Sequence, residues 1–251
     1  MPYRAVATSV EGFVQQIACC YLRHGYWFYV AGQIPAGKDP CAVDEKLIAK
    51  YGIAVSESTR ARRKQSGRAN LQYVRHERFF VILATKGNHP FFTEEQHAIR
   101  DIRRVPLCYA GYSISYRRGG QTRAGKADPR WHAHVRMDRR QYLDCRAWFC
   151  EWATRASVGD LSQAFATLPV AAYAPVRRQL LLIHRAVNRL RNANGQSPVP
   201  VEVLPLRRRV VRPFAAEVSR SEPNVDASWN QRGCSDPRRG TERRSGHVDR
   251  E

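Results

Sequence analysis

Residues 129–137, PRWHAHVRM, place two histidines one residue apart in a segment whose alternation reads as a β-strand. Side chains at i and i+2 of a strand share a face, so His132 and His134 stand side by side with Arg136. Trp131, Ala133, Val135 and Met137 then line the opposite face. The segment before it, LCYAGYSISYRRGG, alternates in the same way, with Tyr112, Ile114 and Tyr116 inward and Ser113, Ser115 and Arg117 outward. If the two strands pair, one side of the hairpin carries hydroxyls, imidazoles and guanidiniums, a combination suited to a phosphate backbone. The connecting loop adds Arg118, Arg123, Lys126 and Arg130. Three readings stay open for the histidines: phosphate contacts, a plain solvated face, or a pair of ligands to one divalent ion, Mg or Mn.

The metal reading has a specific form, because the His-x-His strand resembles that of the HUH-type single-strand endonucleases, the replication initiators, relaxases and single-strand transposases. The resemblance implies that His132 and His134 hold a metal acting as Lewis acid on the scissile phosphate. It also implies a tyrosine on a later helix that attacks and becomes linked to the DNA 5′ end. Tyr173, in VAAYAPVRRQ, is the candidate, with Tyr142 the alternative; Arg177 and Arg178 follow Tyr173 and would neutralise charge on the reacting phosphate. His89, Glu94, Glu95 and Asp101 are candidates for a third ligand. The pattern departs from the family at Ala133, where a bulky apolar residue is usual, and at Pro175, which puts Tyr173 ahead of its helix. An endonuclease of a mobile element or plasmid is what the resemblance implies; a non-catalytic DNA- or RNA-binding protein is the alternative, and a partner of an RNA-rich assembly a third. DNA stands ahead of RNA as the expected ligand.

The charge supports a polyanionic partner whichever of these holds. Of 251 residues, 42 are Lys or Arg and 22 Asp or Glu, a formal net charge of +20. Nearly all of the basic residues are arginine, which forks onto phosphate with two-point geometry. Residues 215–251 hold seven Arg against seven acidic residues, so the whole excess belongs to residues 1–214. That last stretch is poor in apolar residues and reads as a disordered tail. The densest basic run is TRARRKQSGRANLQY, with Arg60, Arg62, Arg63, Lys64 and Arg68; as a helix or arm it would lie along phosphates. Arg178, Arg185 and Arg189 form a second stripe, and LRRRVVRPF, with Arg207 and Arg208, a third patch. The aromatic run Tyr26, Trp27, Phe28 and Tyr29 reads as half core, with a stacking platform as the other possibility.

Other chemistries find little support. AGQIPAGKDP carries Asp39 where a phosphate-cradling loop needs a hydroxyl, and no Ser or Cys sits in a nucleophile elbow. The seven cysteines include no pair with a two-residue gap, which leaves reduced thiols of a cytoplasmic protein as the expectation. No run approaches the ~20 apolar residues of a membrane span, and MPYRAVATSVEGF lacks the basic head and apolar run of a secretory signal.

The elements that must position these groups follow from punctuation and period. Ser9 caps a helix over 9–23 that stops at Gly25; YWFYVAGQI is a strand; Asp39 and Pro40 open a helix that closes on Gly52. QYVRHERFFVILAT predicts a hairpin turning at His76-Glu77-Arg78. FTEEQHAIRDIRRV predicts a helix capped by Thr93, and Asp138 caps another over DRRQYLDCRAWFCEWATR. A shorter helix at 160–168 precedes a last one with Val176, Leu180, Ile183, Val187 and Leu190 as its apolar stripe. The sum is an α+β domain over 1–214, sheet-rich over 26–137 and helical over 138–195. Its sheet is mostly antiparallel with flanking helices.

Overall fold

The computed structural model describes residues 3–120, 125–126 and 128–215. Arg123 and, but for Ala215, the tail expected over 215–251 lie outside the described residues. The fold is α+β with antiparallel strands throughout its ladders.

Ser9 accepts from Gly12 N and opens helix α1 (Val10–Gln15). The helix widens into one π-helical stretch over Gln16–Tyr21 and tightens to a 3₁₀ turn over Leu22–His24, before Gly25 at φ 91° reverses the chain. Strand β1 (Tyr26–Gln33) follows, then α2 (Pro40–Lys50), capped by Asp39 and ended near Gly52, and α3 (Glu57–Gln65), capped by Ser56. Strands β2 (Leu71–His76) and β3 (Phe79–Thr85) form the expected hairpin, with Glu77 at φ 52° in the turn.

The helix expected from Thr93 onward does not form. Only one turn, α4 (Phe91–Glu94), is helical, after Pro90, and Arg100–Asp101 (β4) pair with Tyr29 and Phe28 instead. Its apolar residues explain this: Phe91 and Ile102 are both fully buried, and Ile102 N donates to Trp27 O at 2.9 Å, so the sheet edge captures the segment. LCYAGYSISYRRGG likewise holds two strands, not one: β5 (Leu107–Tyr109) and β6 (Tyr112–Arg118). Ala110 at φ 44° and Gly111 at φ 78° make the tight turn between them, a conformation in which glycine is at ease and alanine is strained. Strand β7 (Trp131–Met137) pairs with β6. Among the described residues the strands therefore form two sheets, β2-β3-β1-β4 and β5-β6-β7.

Helices α5 (Arg139–Trp152, capped by Asp138), α6 (Val158–Ala166) and α7 (Ala174–Ala193) complete the chain's regular structure, with a 3₁₀ turn at Val201–Val203. Three apolar clusters hold it together. One joins α1 and its π extension to Val81 and Leu83 of β3, Ile114 of β6, Val135 and Met137 of β7 and Val176 and Leu180 of α7. A second lies on the other face of the larger sheet, with Tyr73, Ile82 and Phe91. The third gathers Phe149, Phe165, Ile183 and Val187 among α5, α6 and α7. Leu190, expected in the α7 stripe, is exposed; Arg191 is buried in its place, donating to the carbonyls of Ala153, Ala156 and Ser197 that the helix ends leave open. Segment 206–214 returns to α1: Thr8 N donates to Pro213 O at 2.9 Å, and a Cβ at Gly12 would lie 2.9 Å from Pro213 Cα. No described helix is long and apolar enough to cross a membrane.

Candidate nucleic-acid interface

β6 and β7 pair, and the residues that the alternation assigns to one face do share it. Ser113 pairs with Arg136, Ser115 with His134 and Arg117 with His132, so these six residues share one face. The two serines, however, are not solvated: Ser113 and Ser115 are 4% and 2% exposed. They are the shortest side chains in rows of long ones, and Arg117 folds back to donate from Nε to Ser115 Oγ at 3.1 Å. The reachable surface of this face consists of Arg117, Arg136 and His132, which are exposed, with His134 half-buried between them.

The two histidines have different surroundings. His132 Nε2 lies 3.1 Å from Asp128 Oδ2, and Asp128 is gripped by Arg130, which holds its carboxyl well below the usual carboxylate range. His134 Nδ1 is buried without a hydrogen-bond partner among the described residues. Burial, then the nearby charges of Arg117 and Arg136, push the His134 imidazole below its ordinary pKa. Two guanidiniums flanking an unpaired imidazole make a setting for an anion and repel a cation.

The donor set therefore fits Mg or Mn poorly, and among the described residues no three His, Cys, Asp or Glu side chains are grouped to hold a metal. The candidate third ligands are committed elsewhere. His89 Nδ1 accepts from Phe91 N, Glu94 pairs with Lys50 at 2.8 Å, Glu95 accepts from the Tyr51 hydroxyl, and Asp101 is bound in two-point fashion by Arg103.

Tyr173 is not brought to the histidines. It stands at the N-cap of α7, as Pro175 dictates, and packs against the cluster that contains Tyr112, Ile114, Val135 and Met137. Those residues form the face of β6–β7 opposite His132 and His134. The Tyr173 hydroxyl is buried with no hydrogen-bond partner among the described residues, and burial raises its pKa far above the ordinary phenol value. An attacking phenol needs the reverse. Tyr142 is half-buried against the first and third clusters. Arg177 is exposed at the start of α7 and lines a groove of about 450 Å³ with Arg178, Arg185 and Leu206.

The remaining arginines divide between anchoring and display. In α3, Arg60 and Arg63 are half-buried; Arg63 donates to Gly52 O at 3.1 Å and Asn70 Nδ2 to Arg60 O at 2.9 Å, which docks the helix. Arg62, Lys64 and Arg68 are exposed, and Arg63 and Arg68 line a cavity of about 860 Å³ with Asn88 and His89. Lys126 and Arg118 are exposed beside the hairpin. Arg207 is exposed, whereas Arg208 lies over the Tyr173 ring and donates to Gln15 Oε1 at 3.2 Å.

Trp27, placed by the sequence in an aromatic run that is half core or a stacking platform, joins rings that the sequence does not connect to it. Trp27, Tyr116 and Trp131 form a row of near-parallel rings, with centroids 6.1 and 5.8 Å apart and planes tilted by 25° and 20°. Arg103 sits over Trp27 at 4.5 Å, and Arg118 lies 5.8 Å from the Trp131 ring. The diagonal placement of Tyr116 and Trp131 follows from the hairpin register, but Trp27 arrives from the other sheet and Arg103 from the turn after β4. Comparison with protein-family models, curated proteins and solved structures found no match for the chain.

Proposed function

We propose that this protein binds nucleic acid, contacting phosphates through arginine-rich surfaces. The observation that carries the reading is the β6–β7 face, where Arg117 and Arg136 flank His134, whose buried Nδ1 has no hydrogen-bond partner among the described residues. Paired guanidiniums with an imidazole between them supply donors to the acceptor oxygens of a phosphodiester. The formal charge of +20, carried by the folded part, supplies the sequence-independent attraction such a polymer needs. Arg62 and Lys64 on α3, Arg68 just after it, and Arg177, Arg178 and Arg185 on α7 extend the basic surface. The resemblance to HUH-type endonucleases draws no support from Tyr173, so binding without strand cleavage is the reading adopted.

The experiment is a fluorescence-anisotropy titration of labelled 20-nucleotide DNA and RNA at several salt concentrations. Binding by phosphate contact gives a logarithm of affinity that falls linearly with the logarithm of salt, with a slope of roughly −0.7 to −0.9 per phosphate engaged. An absence of binding at low salt, or an affinity indifferent to salt, contradicts the proposal. The two ligands also rank DNA against RNA.

A further inference from the structure

We infer that the Trp27–Tyr116–Trp131 row, with Arg103 and Arg118, is a stacking site for unpaired bases, which makes single-stranded nucleic acid the ligand. The inference rests on the proposed nucleic-acid reading and specifies the strand state that reading leaves open.

The exposure of the row argues for a ligand. Trp131 is 40% exposed at the end of an edge strand, where among the described residues no strand pairs on its outer side. Tyr116 and Trp27 are half-buried, so the row runs from the junction of the two sheets out to the solvent-facing hairpin end. The apolar face of β7 buries Val135 and Met137 at its other end, so Trp131 lies at the margin of the core.

The rings are held in place, which a stacking surface requires. Asp101 accepts from Arg103 Nε at 2.9 Å and from Nη2 at 2.7 Å, and also from Arg103 N at 2.9 Å. This clamp fixes a guanidinium plane against Trp27 at 4.5 Å and within 6.0 Å of Trp131. Arg118, opposite Trp131 in the ladder, is exposed and makes no ion pair among the described residues. It is placed to meet the phosphate of a nucleotide whose base lies on Trp131.

The chemistry selects the ligand. A π-face accepts any base, and an arginine beside it neutralises the backbone, the combination by which single strands are held without sequence preference. A duplex keeps its base faces stacked on one another and offers them to no protein ring. Phosphate contacts on the Arg117–Arg136 face do not discriminate in this way, so strand preference resides in the aromatic row.

The test compares the full chain with Trp131→Leu and Trp131→Phe. Leucine keeps an apolar side chain at the position and removes the ring; phenylalanine restores a ring. The probes are labelled oligo(dT) and oligo(U) of 12 nucleotides and a 12-base-pair DNA duplex. The inference expects tighter binding of the single strands, a loss of roughly tenfold or more on them for Trp131→Leu, recovery of most of that loss by Trp131→Phe, and duplex affinity changed less than twofold. Arg118→Gln is the second variant, expected to weaken single-strand binding several-fold should Trp131→Leu fail to fold. Equal affinity for duplex and single strands, or single-strand binding indifferent to Trp131→Leu and Arg118→Gln, overturns the stacking site while leaving the phosphate reading intact. Failure to bind any of the three probes overturns both.

Discussion

The guanidinium of Arg208 lies 4.5 Å from the centroid of the ring of Tyr173, the tyrosine that the sequence puts ahead of Tyr142 as a candidate nucleophile. The contact ties segment 206–214 to the start of α7, and Arg208 also donates to Gln15 Oε1, which in turn accepts from Val211 N. Tyr173 is therefore a packing residue whose hydroxyl lies buried without a geometric hydrogen-bond partner among the described residues. Leaving a hydroxyl in that state costs about 1–3 kcal/mol.

Tyr173→Phe should accordingly leave stability unchanged or raise it by up to about 2 kcal/mol in urea denaturation. It should bind nucleic acid like wild type, and neither protein should form an adduct with single-stranded DNA that survives denaturation in Mg²⁺ or Mn²⁺. An adduct formed by wild type and lost in Tyr173→Phe would reinstate the endonuclease reading.

The buried charges of the larger sheet make a stability prediction. Asp44 of α2 receives Arg75 Nε at 2.8 Å and Nη2 at 2.8 Å, and the Tyr73 hydroxyl closes on the same carboxylate. Both side chains are less than a tenth exposed. Asp44→Ala strands the Arg75 charge in the interior, and the expected loss is about 3–5 kcal/mol by chemical denaturation. A loss below 1 kcal/mol would mean that water reaches the pair.

His134 gives a pH dependence of definite sign. Its folded pKa lies below the ordinary value of about 6.5, chiefly through burial and then through Arg117 and Arg136. The unfolded chain therefore binds the proton more readily, and the His134 contribution to stability is present above about pH 6.5 and is lost as pH falls through the folded pKa. His89 is lowered too, by burial and by Arg63 and Arg68, and adds a loss of the same sign. Replacing His134 with Gln should shrink the drop in stability between pH 7 and pH 5 without abolishing it. A bound phosphate opposes the shift, so affinity for oligonucleotide should rise over the same fall in pH in wild type and less in His134→Gln.

Much of this arrangement is legible in the sequence. Asp39-Pro40 and Asp138 announce their helices because capping is local chemistry, and period-two alternation sorts the residues of β6 and β7 between two faces without reference to anything distant. The failures share a cause. Thr93 resembles a cap, but Phe91 and Ile102 are drawn into the core and the segment pairs with β1 instead. Arg191 is buried because helix ends nearby leave carbonyls unsatisfied, a need that no window around residue 191 contains. Tyr173 lies at a plausible distance along the chain from His134, yet on the other face of the sheet. The Trp27–Tyr116–Trp131 row unites two sheets, and only the packing of one against the other reveals it.

The most direct test of the central claim is the salt dependence of oligonucleotide affinity for wild type against the double variant Arg117→Gln, Arg136→Gln. Both side chains are exposed, so the fold should survive their removal. The double variant should bind more weakly, with the slope of log affinity against log salt reduced by about 1.4–1.8, the signature of two lost phosphate contacts. An unchanged slope and affinity would show that the β6–β7 face does not touch nucleic acid.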